Sequence, residues 1–147
     1  MQVLGRNLPA DAWFDIPAHQ LGRSRPGDWT FSVDDPQAHD GHAIRMPGDH
    51  FEWAVQYRFS EDIQHGNPWR CYVVARCETS VDDGLAMTMG IYDSRKKTGV
   101  AHLRIDVAQA AGEQYQVFDL GAHELHGEMY LWVAPPKRPG QVTSVFI

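Results

Sequence analysis

The chain has 147 residues, a formal net charge of -6 at pH 7 and a hydrophobic content of 43%. This length fits one domain that buries roughly 70% of the surface exposed by its unfolded chain, so folding requires neither a disulfide nor a metal. The acidic balance argues against a nucleic-acid-binding protein, and no segment approaches the ~20 apolar residues of a membrane span.

Alternation of apolar and polar residues with a period of two predicts strands along almost the whole chain. In the first half, the predicted strands are 12–16, 29–33, 43–46 and 51–59. The Pro47-Gly48 turn separates the last two of these strands. We expect this corner to be architectural and to fix the register of the two strands that flank it.

The second half continues the same pattern. Its predicted strands are 69–78, 85–93, 100–107, 115–120, 129–134 and 142–147, and the alanine-rich connector 108–112 has room for one helical turn. About ten short strands with turn signals between them predict an all-β, antiparallel β-sandwich of the jelly-roll type. We expect one domain over residues 1–147. Its end in a predicted strand favours a domain excised from a longer chain.

The two cysteines lie in one predicted strand. At about 3.3 Å per residue, Cys71 and Cys77 would be roughly 20 Å apart. A disulfide needs Cα atoms within about 7 Å, so we predict no bond between them and interpret both as small core residues.

Catalytic motifs are absent from the sequence. His123 and His126 are spaced i, i+3 in a predicted loop, whereas the zincin motif needs i, i+4 on a helix. Neither a Cys-x-x-Cys zinc motif nor a Gly-x-Ser-x-Gly nucleophile elbow occurs. We predict no catalytic residue. A small enzyme on the same fold would need an acid or a tyrosine base beside an arginine, with perturbed pKa values.

Acidic residues near one predicted turn suggest a calcium ion. Asp35 and Asp40 are the candidate ligands, with Asp34 beside them and Gly41 permitting a sharp turn. The alternative is that these residues form turns and that their carboxylates accept local backbone N–H groups.

Aromatic side chains opposite the predicted core suggest a binding face. Tyr92, Tyr130 and Trp132 occupy such positions, and so do several polar residues. Rings beside planar hydrogen-bonding groups suit a sugar, whose C–H face stacks while its hydroxyls form hydrogen bonds. The alternative is that loops or a neighbouring domain cover these aromatics.

The predicted ligand-binding residues fall into two groups. For a site on a concave face we select Trp132, Tyr130, Tyr92, Arg76 and Tyr72, and for a rim site Arg45, Asp49 and Glu52. Arg58, Arg104 and Gln56 project from the same class of positions.

Local motifs resemble a known family. The Asp35-Pro36-x-Ala38-x-Asp40-Gly41-x-Ala43 run, the Glu52-Trp53-Ala54-Val55-Gln56 strand and the Tyr130-x-Trp132-Val133-Ala134-Pro135 strand resemble the jelly-roll domain of large secreted bacterial polysaccharide-degrading proteins. That domain is similar to the galactose-binding-like superfamily, which includes many carbohydrate-binding modules. The resemblance covers nearly the whole chain.

The resemblance implies a non-catalytic accessory module of a secreted protein. Such a module binds polysaccharide or oligosaccharide and keeps the catalytic domain of its parent chain near the substrate. It often carries a structural calcium, but His19-Gln20 stand where relatives often have an acidic residue. The alternatives are a purely structural sandwich that packs on its own enzyme, or a small polysaccharide lyase or hydrolase. Neither nucleic acid nor membrane is an expected partner.

Overall fold

The computed structural model describes residues 15–49, 54–59, 68–136, 142 and 144–147. Nearly all of the regular secondary structure in the described chain is strand, which confirms the predicted all-β class. The elements are a 3-10 turn Ala18–Gln20, β1 Gly22–Arg23, β2 Phe31–Asp34, β3 His42–Pro47, β4 Val55–Arg58, β5 Pro68–Glu78, β6 Leu85–Asp93, β7 Thr98–Asp106, α1 Val107–Ala110, β8 Gln116–Glu124, β9 Met129–Ala134 and β10 Ser144–Phe146.

The strands form two antiparallel sheets, each of five strands in the described part of the chain. The first sheet has the order β1-β4-β9-β6-β7, and the second sheet has the order β2-β3-β10-β5-β8. Because side chains alternate across a strand, each sheet turns one apolar side towards the other. Met89, Ile91 and Val133 of the first sheet and Met46 and Val145 of the second lie in this core with no more than 1% exposure. The architecture is therefore the predicted sandwich.

Several local predictions are confirmed. The bounds of β6 and β9 match the predicted strands 85–93 and 129–134, and α1 supplies the single helical turn. Cys71 and Cys77 are buried free thiols. Burial raises the pKa of each thiol to about 11, so both stay protonated in the core.

Two predictions about strand bounds are wrong. Strand β8 continues to Glu124 because it pairs with β5 as far as Pro68, so His123 lies in a strand and not in a loop. Strand β1 falls in a stretch predicted to be a loop. Its two residues are defined by pairing with β4, which leaves almost no local pattern to detect. The predicted strand 12–16 lies mostly outside the described residues, and Asp15 and Ile16 are not in a strand.

The Pro47-Gly48 corner connects the two sheets. Strand β3 belongs to the second sheet and β4 to the first, so the prediction that this turn sets their mutual register is wrong. A Cβ atom on Gly48 would lie 1.9 Å from the carbonyl oxygen of Val142. Only glycine permits the turn to pack this closely against that segment.

Candidate functional site

The outward side of the first sheet carries a continuous group of aromatic and polar side chains. In one row across the sheet, Arg58 of β4 pairs with Tyr130 of β9, which pairs with Tyr92 of β6. In the next row, Trp132 of β9 lies between Gln56 and Gly90. These residues alternate with core-facing neighbours and therefore point away from the core. We call this surface the aromatic face and define it by Gln56, Arg58, Thr88, Gly90, Tyr92, His102, Arg104, Tyr130 and Trp132.

The tyrosine pair is the accessible aromatic part of this surface. The ring centroids of Tyr92 and Tyr130 are 5.5 Å apart and the planes are inclined by 46°. Both side chains are half-buried. Burial and the neighbouring phenol of Tyr92 raise the pKa of Tyr130, against an opposing effect of the Arg58 cation. The Tyr130 hydroxyl therefore stays protonated at neutral pH and can both donate and accept a hydrogen bond.

Trp132 forms the floor of the aromatic face. Its residue is only 8% exposed, and a Cβ atom on Gly90 would lie 2.9 Å from its ring. The ring of His102 lies 5.7 Å from the Trp132 ring, centroid to centroid, at 49°. Trp132 is thus on the predicted face, but its burial makes it a support for the surface and leaves the tyrosine pair as the more exposed contact.

The positive charges of the aromatic face stand on its outer strands. Arg58 lies on β4 and Arg104 on β7, and both are exposed. Arg58 Nη1 donates a hydrogen bond to the carbonyl oxygen of Gly127 at 3.5 Å. Within the described residues, neither arginine forms an ion pair. In the described part of the chain, most of their N–H groups therefore have no protein partner.

Arg76 does not belong to the aromatic face. It lies in β5, in the second sheet, and is only 6% exposed. The prediction that Arg76 and the residues of β6 and β9 form one site is therefore wrong, because the sandwich places them in different sheets. Tyr72 lies in the same strand as Arg76, so it too is in the second sheet and does not belong to the aromatic face.

Arg76 is held in a buried polar cluster. Its Nη2 and Nε donate to Asp35 Oδ2 at 2.8 and 3.1 Å, and the Tyr115 hydroxyl donates to the same oxygen at 2.8 Å. The guanidinium also stacks on the ring of Phe146, 3.9 Å from its centroid. The cluster joins the turn that follows β2 to strands β5 and β10.

The pKa values of this cluster argue against catalysis there. Burial alone would raise the pKa of Asp35, but the hydrogen bonds from Arg76, Tyr115 and the Gln37 backbone lower it overall. Burial and the bond to Asp35 raise the pKa of Tyr115 far above its usual value. Tyr115 therefore keeps its proton at neutral pH, so this Tyr–Arg pair lacks the base that a lyase needs.

The predicted calcium ligands do not form a site that fits calcium. The oxygens of Asp35 accept the hydrogen bonds of Arg76 and Tyr115, and its Oδ1 accepts the backbone N–H of Gln37 at 3.0 Å. Asp40 Oδ1 accepts the backbone N–H of His42 at 3.1 Å. No group of three or more metal-ligating side chains occurs among the residues that the structure describes. Both aspartates thus act as turn formers here, and calcium binding stays an untested prediction.

Of the predicted rim residues, the structure describes Arg45 and Asp49. Arg45 is in β3 of the second sheet, where its guanidinium lies 4.5 Å from the centroid of the Phe31 ring. Asp49 is exposed in the corner after β3, and Glu52 lies outside the described residues. The sequence-based selection missed Thr88, Gly90 and His102 of the aromatic face. For His102, the only signal is the alternation within β7, which it shares with many solvated residues.

Comparison with known proteins gives a structural likeness and no sequence relative. No family model and no curated protein matches the chain. The fold is similar to the CBM22-1 xylan-binding domain from Paenibacillus barcinonensis Xyn10C, with a TM-score of 0.53, 8% identity, and coverage of 86% of this chain and 80% of that one.

A second similar structure is the N-terminal CBM22-1–GH10 modules of Clostridium thermocellum endo-1,4-β-D-xylanase 10B in complex with xylohexaose. The TM-score is 0.50 and the identity 9%, and the match covers 80% of this chain. The chain spans only 23% of the length of that protein. At such identities the likeness concerns the fold. The chain therefore has the jelly-roll β-sandwich fold of these carbohydrate-binding modules.

Proposed function

We propose that this chain is a non-catalytic carbohydrate-binding module that holds a polysaccharide or oligosaccharide on the aromatic face. The observation that carries the proposal is the Tyr92–Tyr130 pair, set on the outward side of a sheet beside Arg58 and Gln56. Tyrosine rings offer flat apolar area to the C–H side of a sugar. The guanidinium and amide groups match its hydroxyls as hydrogen-bonding partners.

The aromatic face is supported by paired strands and by packing beneath it. Its side chains stand on the paired strands β4, β9, β6 and β7, and the Trp132 ring packs on Gly90 beneath them. Binding to such a surface loses little conformational entropy, because few side chains need to become ordered. The likeness to a domain described as xylan-binding supports xylan and xylo-oligosaccharides as the first ligands to test.

We further propose that the module belongs to a longer, secreted protein and targets a catalytic domain to polysaccharide. A tethered binding module raises the effective concentration of the enzyme at its substrate without any new contact to the catalytic site. In the similar Clostridium structure, a CBM22-1 module is joined to a GH10 module, which supports this arrangement. None of the helices in the described ranges is long and apolar enough to cross a membrane.

The test is binding of the chain to insoluble xylan in pull-down experiments and to xylohexaose by calorimetry. The double variant Tyr92→Ala/Tyr130→Ala removes the platform. Each ring contributes about 0.5–1.5 kcal/mol beyond its buried area, so the affinity should fall by roughly tenfold or more. Tyr72→Ala is the matched control, because it removes a half-buried tyrosine from the second sheet.

Three results would contradict the proposal. Equal losses in the double variant and in Tyr72→Ala would show that the aromatic face is not the site. Release of new reducing ends from xylan by the pure chain would contradict a non-catalytic role. Failure of the wild-type chain to bind any of a broad panel of polysaccharides would reject carbohydrate binding itself.

A purely structural sandwich is the second candidate function. The observation that favours it is the burial of Trp132, at 8% exposure, together with the half-buried state of Tyr92 and Tyr130. A face built in this way could also pack against a neighbouring domain. That function predicts no binding to any polysaccharide of the panel, and it predicts that Tyr92→Ala/Tyr130→Ala weakens association with the neighbouring domain.

A further inference from the structure

We infer that the preferred ligand of the aromatic face is an acidic glycan, one that carries the carboxylate groups of uronic acid residues. This inference rests on the proposed function and specifies the class of its ligand. It follows from where the face places its charged side chains and from the absence of ion-pair partners for them among the described residues.

The aromatic face has a consistent order across its strands. The rings of Tyr92, Tyr130 and Trp132 stand on the central strands β6 and β9, and the cations Arg58 and Arg104 stand on the flanking strands β4 and β7. With strands about 4.8 Å apart and about 3.3 Å per residue, the Cα atoms of the two arginines are roughly 20 Å apart on a diagonal across the face. A glycan that crosses the rings thus meets a cation at each end.

These arginines are not neutralised by the rest of the described chain. Neither makes an ion pair there, and none of the described face residues between them is a carboxylate. The chain as a whole has a net charge of -6, so two unpaired arginines on one face do not simply reflect a basic composition. The described residues of the face therefore carry a charge opposite in sign to that of the protein.

Two described carboxylates lie near the face in sequence, and neither forms an ion pair with Arg58 or Arg104. Asp106 follows Arg104 by two positions and forms the capping box of α1 with Gln109. Glu128 precedes β9 and forms an ion pair with Arg95. Within the described residues, neither of these carboxylates balances the two arginines, so their guanidinium groups are candidates for a ligand.

Carboxylate is the ligand group that these arginines fit best. A planar guanidinium binds a carboxylate through two parallel N–H···O bonds, and a charged pair of this kind is stronger than a bond to a neutral hydroxyl. A uronic acid residue presents both features that the face offers: a C–H side for a tyrosine ring, and a carboxylate for an arginine. A neutral glycan would use the rings and leave most of the positive charge unmatched.

The experiment compares polymers that differ only in their carboxylates. Calorimetry is run on the wild-type chain with glucuronoxylan and its carboxyl-reduced form, and with polygalacturonate and its fully methyl-esterified form. We expect the carboxylate form of at least one pair to bind about tenfold tighter than its neutral form, which one additional charged contact can supply. We also expect this preference to shrink as sodium chloride is added, because salt screens exposed charges.

Two variants assign the preference to the arginines. Arg58→Gln/Arg104→Gln should bring the ratio of the two dissociation constants close to one. Arg70→Gln is the control, because it removes an exposed arginine from the second sheet and should keep the ratio of the wild type. Circular dichroism spectra of both variants establish that they are folded.

The outcomes separate this inference from the proposed function. Equal binding of the carboxylate and neutral forms overturns the acidic ligand and leaves carbohydrate binding intact. A preference that survives in Arg58→Gln/Arg104→Gln, or that is lost equally in Arg70→Gln, overturns the assignment to this face. Binding of none of the four polymers by the wild-type chain rejects the proposed function and the inference together.

Discussion

Replacement of Asp35 by alanine would test the buried cluster that anchors the turn after β2. In the native chain, the Asp35 carboxylate neutralises Arg76, whose side chain is only 8% exposed. The variant leaves that cation buried, and breaking a buried pair in this way costs about 3–5 kcal/mol. Arg76 Nη1 keeps two weaker partners, the carbonyl oxygen of Gly112 at 3.3 Å and Glu78 Oε1 at 3.5 Å. We therefore expect the loss of stability to lie near the lower end of that range.

The loss can be measured as a change in melting temperature. For a chain of this size, each kcal/mol shifts the melting temperature by roughly 2–4 °C, so Asp35→Ala should lower it by about 10 °C. Arg70→Ala is the control. It breaks an ion pair of 3.2 Å between side chains that are 47% and 45% exposed, and such pairs contribute about 0–1 kcal/mol. Equal shifts in the two variants by circular dichroism would refute the reasoning.

The pH dependence gives an independent check on the same cluster. The pKa of Asp35 is lower in the folded chain than in the unfolded chain, where it is about 3.9. The ionised Asp35 carboxylate therefore stabilises the fold fully at pH values above the unfolded-state pKa. This contribution to the free energy of unfolding is lost as the pH falls through the folded-state pKa. The gap in unfolding free energy between the wild type and Asp35→Asn should therefore be largest near neutral pH and should close in strong acid. Urea titrations over this range measure it. A gap that does not change with pH would show that the charge of Asp35 is not what stabilises the fold.

Three further predictions concern the support of the aromatic face and calcium. In Gly90→Ala the new methyl group would lie 2.4 Å from the carbonyl oxygen of Ala101, so urea denaturation should show that the free energy of unfolding falls by about 1–3 kcal/mol. In the control Gly99→Ala, where no atom lies within 4 Å of the new Cβ, the free energy of unfolding should not fall. Trp132→Ala should cost about 3–5 kcal/mol, as for other large buried rings, and a melting temperature close to the wild type would show that the ring is not part of the floor. EDTA should leave the melting temperature unchanged because the Asp35 oxygens already have partners, and a fall that calcium reverses would contradict this.

Strand β6 shows how much of the fold can be predicted from the sequence. From Met87 to Tyr92 its residues alternate, with Met87, Met89 and Ile91 towards the core and Thr88 and Tyr92 away from it. A strand that is apolar on one side and packs in the middle of a sheet produces such a pattern directly, because successive side chains point to opposite sides. Both its bounds and its core side were therefore predicted.

Strands at the edges of the sheets are less visible in the sequence. Strand β1 has only two residues, both exposed, and it exists because Gly22 pairs with Gln56. The end of β8 contains polar residues and Gly121, with a φ of +85°, and is held by its register with β5. Pairing of this kind depends on a partner that is distant in the sequence, so no local pattern reports it.

The candidate site shows the same division. Alternation along each strand placed Tyr92, Tyr130 and Trp132 away from the core, and the structure brings them together on one face. The same alternation placed Arg76 away from the core, but its strand pairs with β8 and β10 in the opposite sheet. Local polarity along each strand is enough to predict which of its sides faces solvent. Which strands share a sheet depends instead on contacts between distant segments, and these contacts place Arg58, and not Arg76, beside the tyrosines.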